Sequence, residues 1–100
     1  LPDDPDDLLI TVSDGVLSQR VVDEVVLLDS AREVYFGLDE VGAAFWELLQ
    51  DHRRLSEIHR TLARRYDVSP ERLWADLEAL VRELEAHALV RAEPVRPGGA

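Results

Sequence analysis

From Leu8 to Leu38 the apolar residues come in short runs broken by turn formers. Val16–Val22, Val25–Leu28 and Glu33–Leu38 are each of strand length and rich in Val, Leu and aromatic residues. Ser13-Asp14-Gly15, Asp23-Glu24 and Asp29-Ser30-Ala31-Arg32 carry the turn signals between them. The pattern predicts three antiparallel strands joined by two short hairpins, with Leu8–Val12 as a further short strand. After Leu38 the period becomes helical. Asp39 is a good N-cap, and Val41, Phe45, Leu48 and Leu49 follow it on one stripe. A second helix is predicted over Ser56–Tyr66, with Ile58, Leu62 and Tyr66 on its apolar face. Ser69-Pro70-Glu71 opens a third: Ser caps, Pro takes the first turn and Glu meets the positive helix end. Its stripe is Leu73, Leu77, Leu80, Val81 and Leu84, and it runs to about His87. Strands followed by helices imply an α+β domain, a three-stranded antiparallel sheet with three helices on one face.

The two ends fit neither period. Residues 1–7 hold two prolines and four aspartates and read as a flexible acidic lead-in; residues 93–100 read as a tail that cannot pack. The domain is therefore placed at residues 8–92 of the 100. The first residue is Leu, which implies processing or trimming. There is room for one core and no second domain.

Charge sharpens the picture. The net charge is −10, and all 11 basic residues are Arg. Residues 1–51 carry −11 and residues 52–100 carry +1. Such a chain is a poor match for phosphate backbones or anionic membranes and suits a neutral or basic partner. No apolar stretch is long enough to span a bilayer and no secretion signal is present, so the expected location is the cytoplasm.

Catalytic chemistry is hard to find. With no Cys, thiolate metal sites and cysteine nucleophiles are excluded. His52, His59 and His87 lie 7 and 28 residues apart, off the helical spacing of metal pairs, and read as solvated surface side chains. There is no phosphate-binding loop and no nucleophile elbow. The reading is a binding module without catalytic residues, metal or cofactor.

Sheet edges and helix flanks remain. The strand Glu33–Leu38 has neither Lys nor Pro to guard its edge and carries Tyr35 and Phe36 in sequence, which suits addition of a peptide strand. Phe36 and Leu38 also fit an apolar core face. On the third helix Trp74 and Asp76 stand on opposite flanks of the stripe, about 200° apart. Trp74, near Val81, fits either peripheral core or an anchor for a partner. Asp76, near Leu80, fits a surface acceptor.

The residues that carry a resemblance are now assembled. Val26-Leu27-Leu28-Asp29, then Val34-Tyr35-Phe36-Gly37-Leu38-Asp39-Glu40-Val41-Gly42 through Phe45-Trp46-Glu47-Leu48-Leu49, resemble the PqqD-like family. Ile58, Leu62, Tyr66-Asp67-Val68, Asp76-Leu77 and Leu80–Leu84 continue it, so that it covers residues 16–90. Asp39 stands where the family usually has Asn, and Ala88 where a Gly is common before the last Leu. The resemblance implies a winged helix-turn-helix fold. It also implies a recognition element for ribosomally made, modified peptides, in which the precursor's leader pairs with the third strand in a groove walled by the third helix. Carried onto this chain, the strand is Val34, Tyr35 and Phe36, and the wall is Leu73, Asp76, Leu77 and Leu80. Trp74 and Val81 line the alternative flank. A free-standing copy with the Val41-Gly42…Trp46 pattern resembles the lasso-peptide type, whose partners are a leader peptidase and a macrolactam synthetase. The alternative within the family is a PqqD-type peptide chaperone for a radical enzyme. From other classes, a winged-helix DNA-binding protein or a structural subunit of an enzyme complex would share the fold.

The charges decide against the DNA reading. The third helix, which would have to enter the groove, carries Glu71, Asp76, Glu78, Glu83 and Glu85 against Arg72 and Arg82. No retardation of duplex DNA is expected at physiological salt in a mobility-shift titration. A salt-sensitive, sequence-dependent shift would restore the repressor reading.

Overall fold

The computed structural model describes residues 7–22 and 24–95. Of the lead-in read at residues 1–7 and the tail read at 93–100, residues 1–6 and 96–100 lie outside the described residues, as does Asp23 of one turn signal. The elements run β1 (Leu8–Val12), β2 (Leu17–Val21), β3 (Glu24–Asp29), β4 (Val34–Leu38), α1 (Glu40–Leu48), α2 (Leu55–Arg65), α3 (Pro70–Ala86) and β5 (Val90–Pro94).

The three-stranded antiparallel sheet is there, in the order β2-β3-β4. Its inner face turns Val25, Leu27 and Leu38 into the core, against Phe45 and Trp46 of α1. Asp39 caps α1 by accepting the Gly42 N–H at 2.8 Å. Gly42 sits so close beneath that cap that a Cβ would come within 3.2 Å of the Asp39 carboxylate and of Leu38. Ser69 caps α3 by accepting the Arg72 N–H.

Two features depart from the sequence reading. First, Leu8–Val12 does not extend the main sheet. It pairs antiparallel with β5 in a separate two-stranded sheet, Leu8 opposite Pro94 and Val12 opposite Val90. The fold is thus a three-stranded sheet, a two-stranded sheet and three helices. β5 runs two residues into the segment read as a tail; its Arg91, Glu93 and Pro94 hid it from any strand pattern. Second, Asp7 belongs to the fold. It is 2% exposed. Its carboxylate accepts the N–H groups of Leu8 and Ser56, each at 2.9 Å, and the Ser56 hydroxyl at 2.8 Å. The N-cap of α2, Arg54, offers no side-chain bond, so Asp7 caps that helix from 49 residues away.

α3 ends in a Schellman motif. Ala88 has φ 60°, its N–H bonds the Glu85 carbonyl, and the Leu89 N–H bonds the Leu84 carbonyl, both at 2.9 Å. Leu84 and Leu89 are both fully buried, supplying the apolar contact that accompanies this turn. The left-handed residue is present although Gly is not.

The left-handed conformation costs Ala about 1–2 kcal/mol, more than the 0.4–1 kcal/mol or so by which Gly loosens the unfolded chain. Ala88→Gly is therefore expected to raise the thermal midpoint by roughly 2–6 °C. Asp7→Ala strands buried donors and is expected to cost roughly 1–3 kcal/mol. Calorimetry on both variants checks the pair; an unchanged midpoint for Asp7→Ala would remove the remote cap from the argument.

Candidate functional site

β4 is an edge. Among the described residues only β3 is beside it, and no Cα of β4 comes within 8 Å of α3. That separation exceeds the 4.7–4.9 Å or so between paired strands. Leu38 ends β4 in the core, and the chain turns at once into α1 through the Asp39 cap. Residues at the start of α1 and along α3 therefore face each other across an opening.

A cavity of about 410 Å³ fills that opening. Leu73, Asp76, Leu77 and Leu80 of α3 form one side; Asp39, Val41 and Gly42 form the other; Tyr66, Asp67 and Val68 close the end. Leu73 and Leu77 are buried, Leu80 is half-buried and Asp76 is exposed, so the floor is apolar and the rim acidic. The Asp39 carboxylate is engaged with the Gly42 N–H. That of Asp76 lies 3.8 Å from Arg72 in a solvent-exposed pair, which leaves it free to exchange partners.

The four α3 residues named from the sequence thus share one cavity. Val34, Tyr35 and Phe36, on β4, do not line it. Val34 and Phe36 are half-buried on the inner face, while Tyr35 is 71% exposed on the outer one. Phe36 meets His87 edge-on, with ring centroids 5.3 Å apart, so the two rings close the opening at the C-terminal end of α3.

The alternative flank looks elsewhere. Trp74 packs edge-on against His59 of α2 at 5.3 Å, and His59 also bonds the Pro70 carbonyl at 2.8 Å. Val81 is fully buried. Both belong to helix packing rather than to the cavity. Two of the three His residues read as solvated are thus ring partners, His59 for Trp74 and His87 for Phe36.

Sequence reasoning missed the near wall. Tyr66-Asp67-Val68 and Asp39, Val41 and Gly42 carried the family pattern without being read as lining. Gly37 was missed too. A Cβ built there meets nothing within 4 Å, so packing does not require this glycine. A glycine inside a strand lowers its stability and marks a place where another backbone can approach closely. The other sheet edge differs. Beside β2 lies a polar cavity of about 400 Å³ lined by Arg20, Glu40, Glu47, Arg65 and Tyr66, where Arg20 and Glu47 form an ion pair.

Among the described residues no three His, Asp or Glu side chains gather to hold a metal. No helix there is long and apolar enough to cross a membrane.

Comparison with known proteins bears on this arrangement. Residues 24–90 match the family described as coenzyme PQQ synthesis protein D (PqqD). No curated protein matches. Among solved structures, the fold is similar to that of TbiB1 in complex with the TbiA(β) leader peptide. The identity is 37% and the TM-score 0.76, over 81% of this chain and 94% of that one. The matched span runs from β3 through the Schellman turn, which takes in the free edge, the capped helix beside it and the whole α3 wall: this chain belongs to the PqqD family.

Proposed function

We propose that this chain is a recognition element for a ribosomally made, modified peptide, binding the precursor's leader as an added strand on β4. The observation that carries the reading is the free β4 edge beside an apolar cavity on α3. An extended peptide in that position completes the unpaired N–H and C=O groups of β4. Its alternate side chains point down to Leu73, Leu77 and Leu80, which supply specificity. Asp76 on the rim accepts a hydrogen bond from the leader. The likeness to TbiB1, a structure in complex with a leader peptide, supports leader binding by this chain.

The role is recognition without chemistry. The chain holds the leader and presents the rest of the precursor to enzymes, which in the lasso-peptide type are a leader peptidase and a macrolactam synthetase. The family's naming for coenzyme PQQ synthesis keeps a second assignment in play, a peptide chaperone serving a radical enzyme. The flanking reading frames separate the two. DNA binding has no support: Glu71, Asp76 and Glu83 of α3 are exposed to any approaching phosphate.

Hydrogen exchange tests the edge. A leader peptide of the kind bound by TbiB1 is expected to slow exchange at the amides of Val34–Gly37 that face away from β3. Binding with unchanged exchange across β4 would overturn strand addition. Two substitutions separate the helix flanks. Asp76→Ala is expected to weaken leader binding by roughly 1–3 kcal/mol, the range for leaving a hydrogen-bonding partner unsatisfied, while leaving the melting curve almost unmoved. Trp74→Ala is expected to cost about 2 kcal/mol of stability, part of the value for a buried aromatic, with affinity retained by the folded fraction. The reverse pattern would move the groove to the α2 side.

A further inference from the structure

The arginines of this chain fall into two sets. Arg20, Arg32, Arg72, Arg82 and Arg91 each stand in an ion pair with a carboxylate. Among the described residues Arg53, Arg54, Arg60, Arg64 and Arg65 stand in none, although the chain holds 21 acids. All five lie on α2 or just before it. Residues 53–65 carry +4, which leaves −14 for the rest. The one acid among them, Glu57, lies 3.5 Å from His52. The helix dipole accounts for cations in the last turn of α2. Arg53 and Arg54, however, stand at its positive end, where a cation is disfavoured. Arg60 and Arg64, four residues apart, repel each other on the face opposite the buried Leu55, Ile58 and Leu62.

Position identifies the occupant, because the unpaired arginines begin where the groove ends. Tyr66, half-buried, lines both the apolar cavity against α3 and the polar cavity beside β2. Charge changes sign across it. On the groove side lie Asp39, Asp67 and Asp76; on the other lies Arg65, followed along α2 by Arg64 and Arg60. The polar cavity also contains two carboxylates. Glu47 is held by Arg20, and Glu40 sits in the first turn of α1, at its positive end. The floor is low because α1 presents only Ala43 and Ala44 there, both buried. A peptide leaving the groove over Tyr66 therefore meets an open hollow of about 400 Å³ with an unpaired guanidinium. The basic stripe is short: Arg54 to Arg65 spans about 17 Å of helix. A nucleic-acid duplex, with one charge per 1.7 Å or so, would overrun it onto the exposed Asp67 and Glu71. Two or three carboxylates of a peptide match it.

We infer that the stretch of precursor flanking the groove-bound strand is acidic and is held by Arg65, Arg64 and Arg60 of α2. This inference rests on the proposed leader binding and adds an electrostatic subsite to it. The guanidinium groups donate charge-assisted hydrogen bonds to the peptide's carboxylates. Main-chain pairing on an edge specifies register weakly, and the sign change at Tyr66 supplies what it lacks. A strand slid along β4 toward the groove would bring its carboxylates against Asp39, Asp67 and Asp76. A strand laid in the reverse direction would leave Arg65 and Arg64 unmatched.

The probe is the TbiA(β) leader peptide, synthesised as it stands and with three Glu or three Gln added at either end. Affinity is read by titration at low ionic strength. Three Glu at one end, the end that emerges at Tyr66, are expected to tighten binding about tenfold over three Gln, and the gain is expected to shrink as salt is added. Three Glu at the other end give no gain. Arg64→Gln/Arg65→Gln is expected to abolish the gain while affinity for the unextended peptide stays within twofold. Arg53→Gln/Arg54→Gln removes the same charge at the far end of α2 and is expected to keep the gain. Arg65→Gln alone, with a melting curve for each variant, covers a folding defect in the double variant. Absence of a gain at both ends overturns the inference. So does an equal gain at both ends, or a gain lost equally in both double variants, since either makes the effect one of overall charge. A gain that appears only once residues 1–6 are deleted assigns the arginines to the chain's own aspartates and also overturns it, as does retention of duplex DNA by the same arginines. Failure of the parent to bind the unextended peptide strikes the proposed function instead.

Discussion

The C-terminal end of α3 is pinned to the β3–β4 hairpin, and the groove depends on that pin. Asp29, 2% exposed, accepts the Arg32 N–H at 3.3 Å and holds the Arg32 guanidinium at 3.6 Å. The guanidinium donates at 2.9 Å to the carbonyl of Ala88, the left-handed residue of the Schellman turn. One step away, Phe36 of β4 meets His87, the C-cap of α3. The strand edge and the helix are joined at this end, and the cavity beside them lies along the N-terminal half of α3. A hydrogen bond from a charged donor is worth roughly 1.5–3 kcal/mol, enough to hold one end of a helix against thermal opening.

The same turn explains why β1 and β5 exist as a separate sheet. After Ala88 reverses the chain, Leu89 drops into the core beside Leu84, and Val90 starts a strand that needs a partner. β1 supplies it, and β1 is itself held to the loop before α2 by the Ile10 N–H on the Arg53 carbonyl at 2.7 Å. Asp7 then ties the start of β1 to the start of α2. This second sheet braces α2 and α3 from behind. Main-chain groups of β1 and β5 are spent on each other, and β4 keeps its edge free. One sheet is thus structural and the other is left open.

The strands β2, β3 and β4 and the three helices could be read from period and caps because each buries a regular stripe. What escaped had no such stripe. β5 is Val-Arg-Ala-Glu-Pro, with only Val90 buried, and exists because β1 is there to pair with it. Asp7 sits in a run of acids, and only the fold separates it from its neighbours. Asp76 and Trp74 could be put on opposite flanks by arithmetic, but choosing between them needed to know where α2 lies, and Trp74 answers that by packing edge-on against His59. The cavity's near wall at Asp39, Val41 and Tyr66 joins residues 27 apart at its extremes, a juxtaposition no local pattern encodes. Leu17, Leu28 and Tyr35 read as ordinary strand apolars; only the register turns them outward together.

Those outward positions follow from the same economy. A sheet with helices on one face would normally make the other face polar, giving strict alternation along each strand. Here β3 reads Glu-Val-Val-Leu-Leu-Asp, apolar on both faces, and β4 places Tyr35 between two inward residues. Exposed Leu and Tyr gain nothing for the isolated domain and make an unguarded edge more prone to aggregate. Gly37 likewise weakens β4 without relieving any clash. Val22, a β-branched residue held at φ 58° and 84% exposed, adds backbone strain in the turn after β2. Four features that each cost stability or solubility converge on the three-stranded sheet. Residues that serve only folding would not be arranged this way, and a chain of 100 residues has little stability to spare.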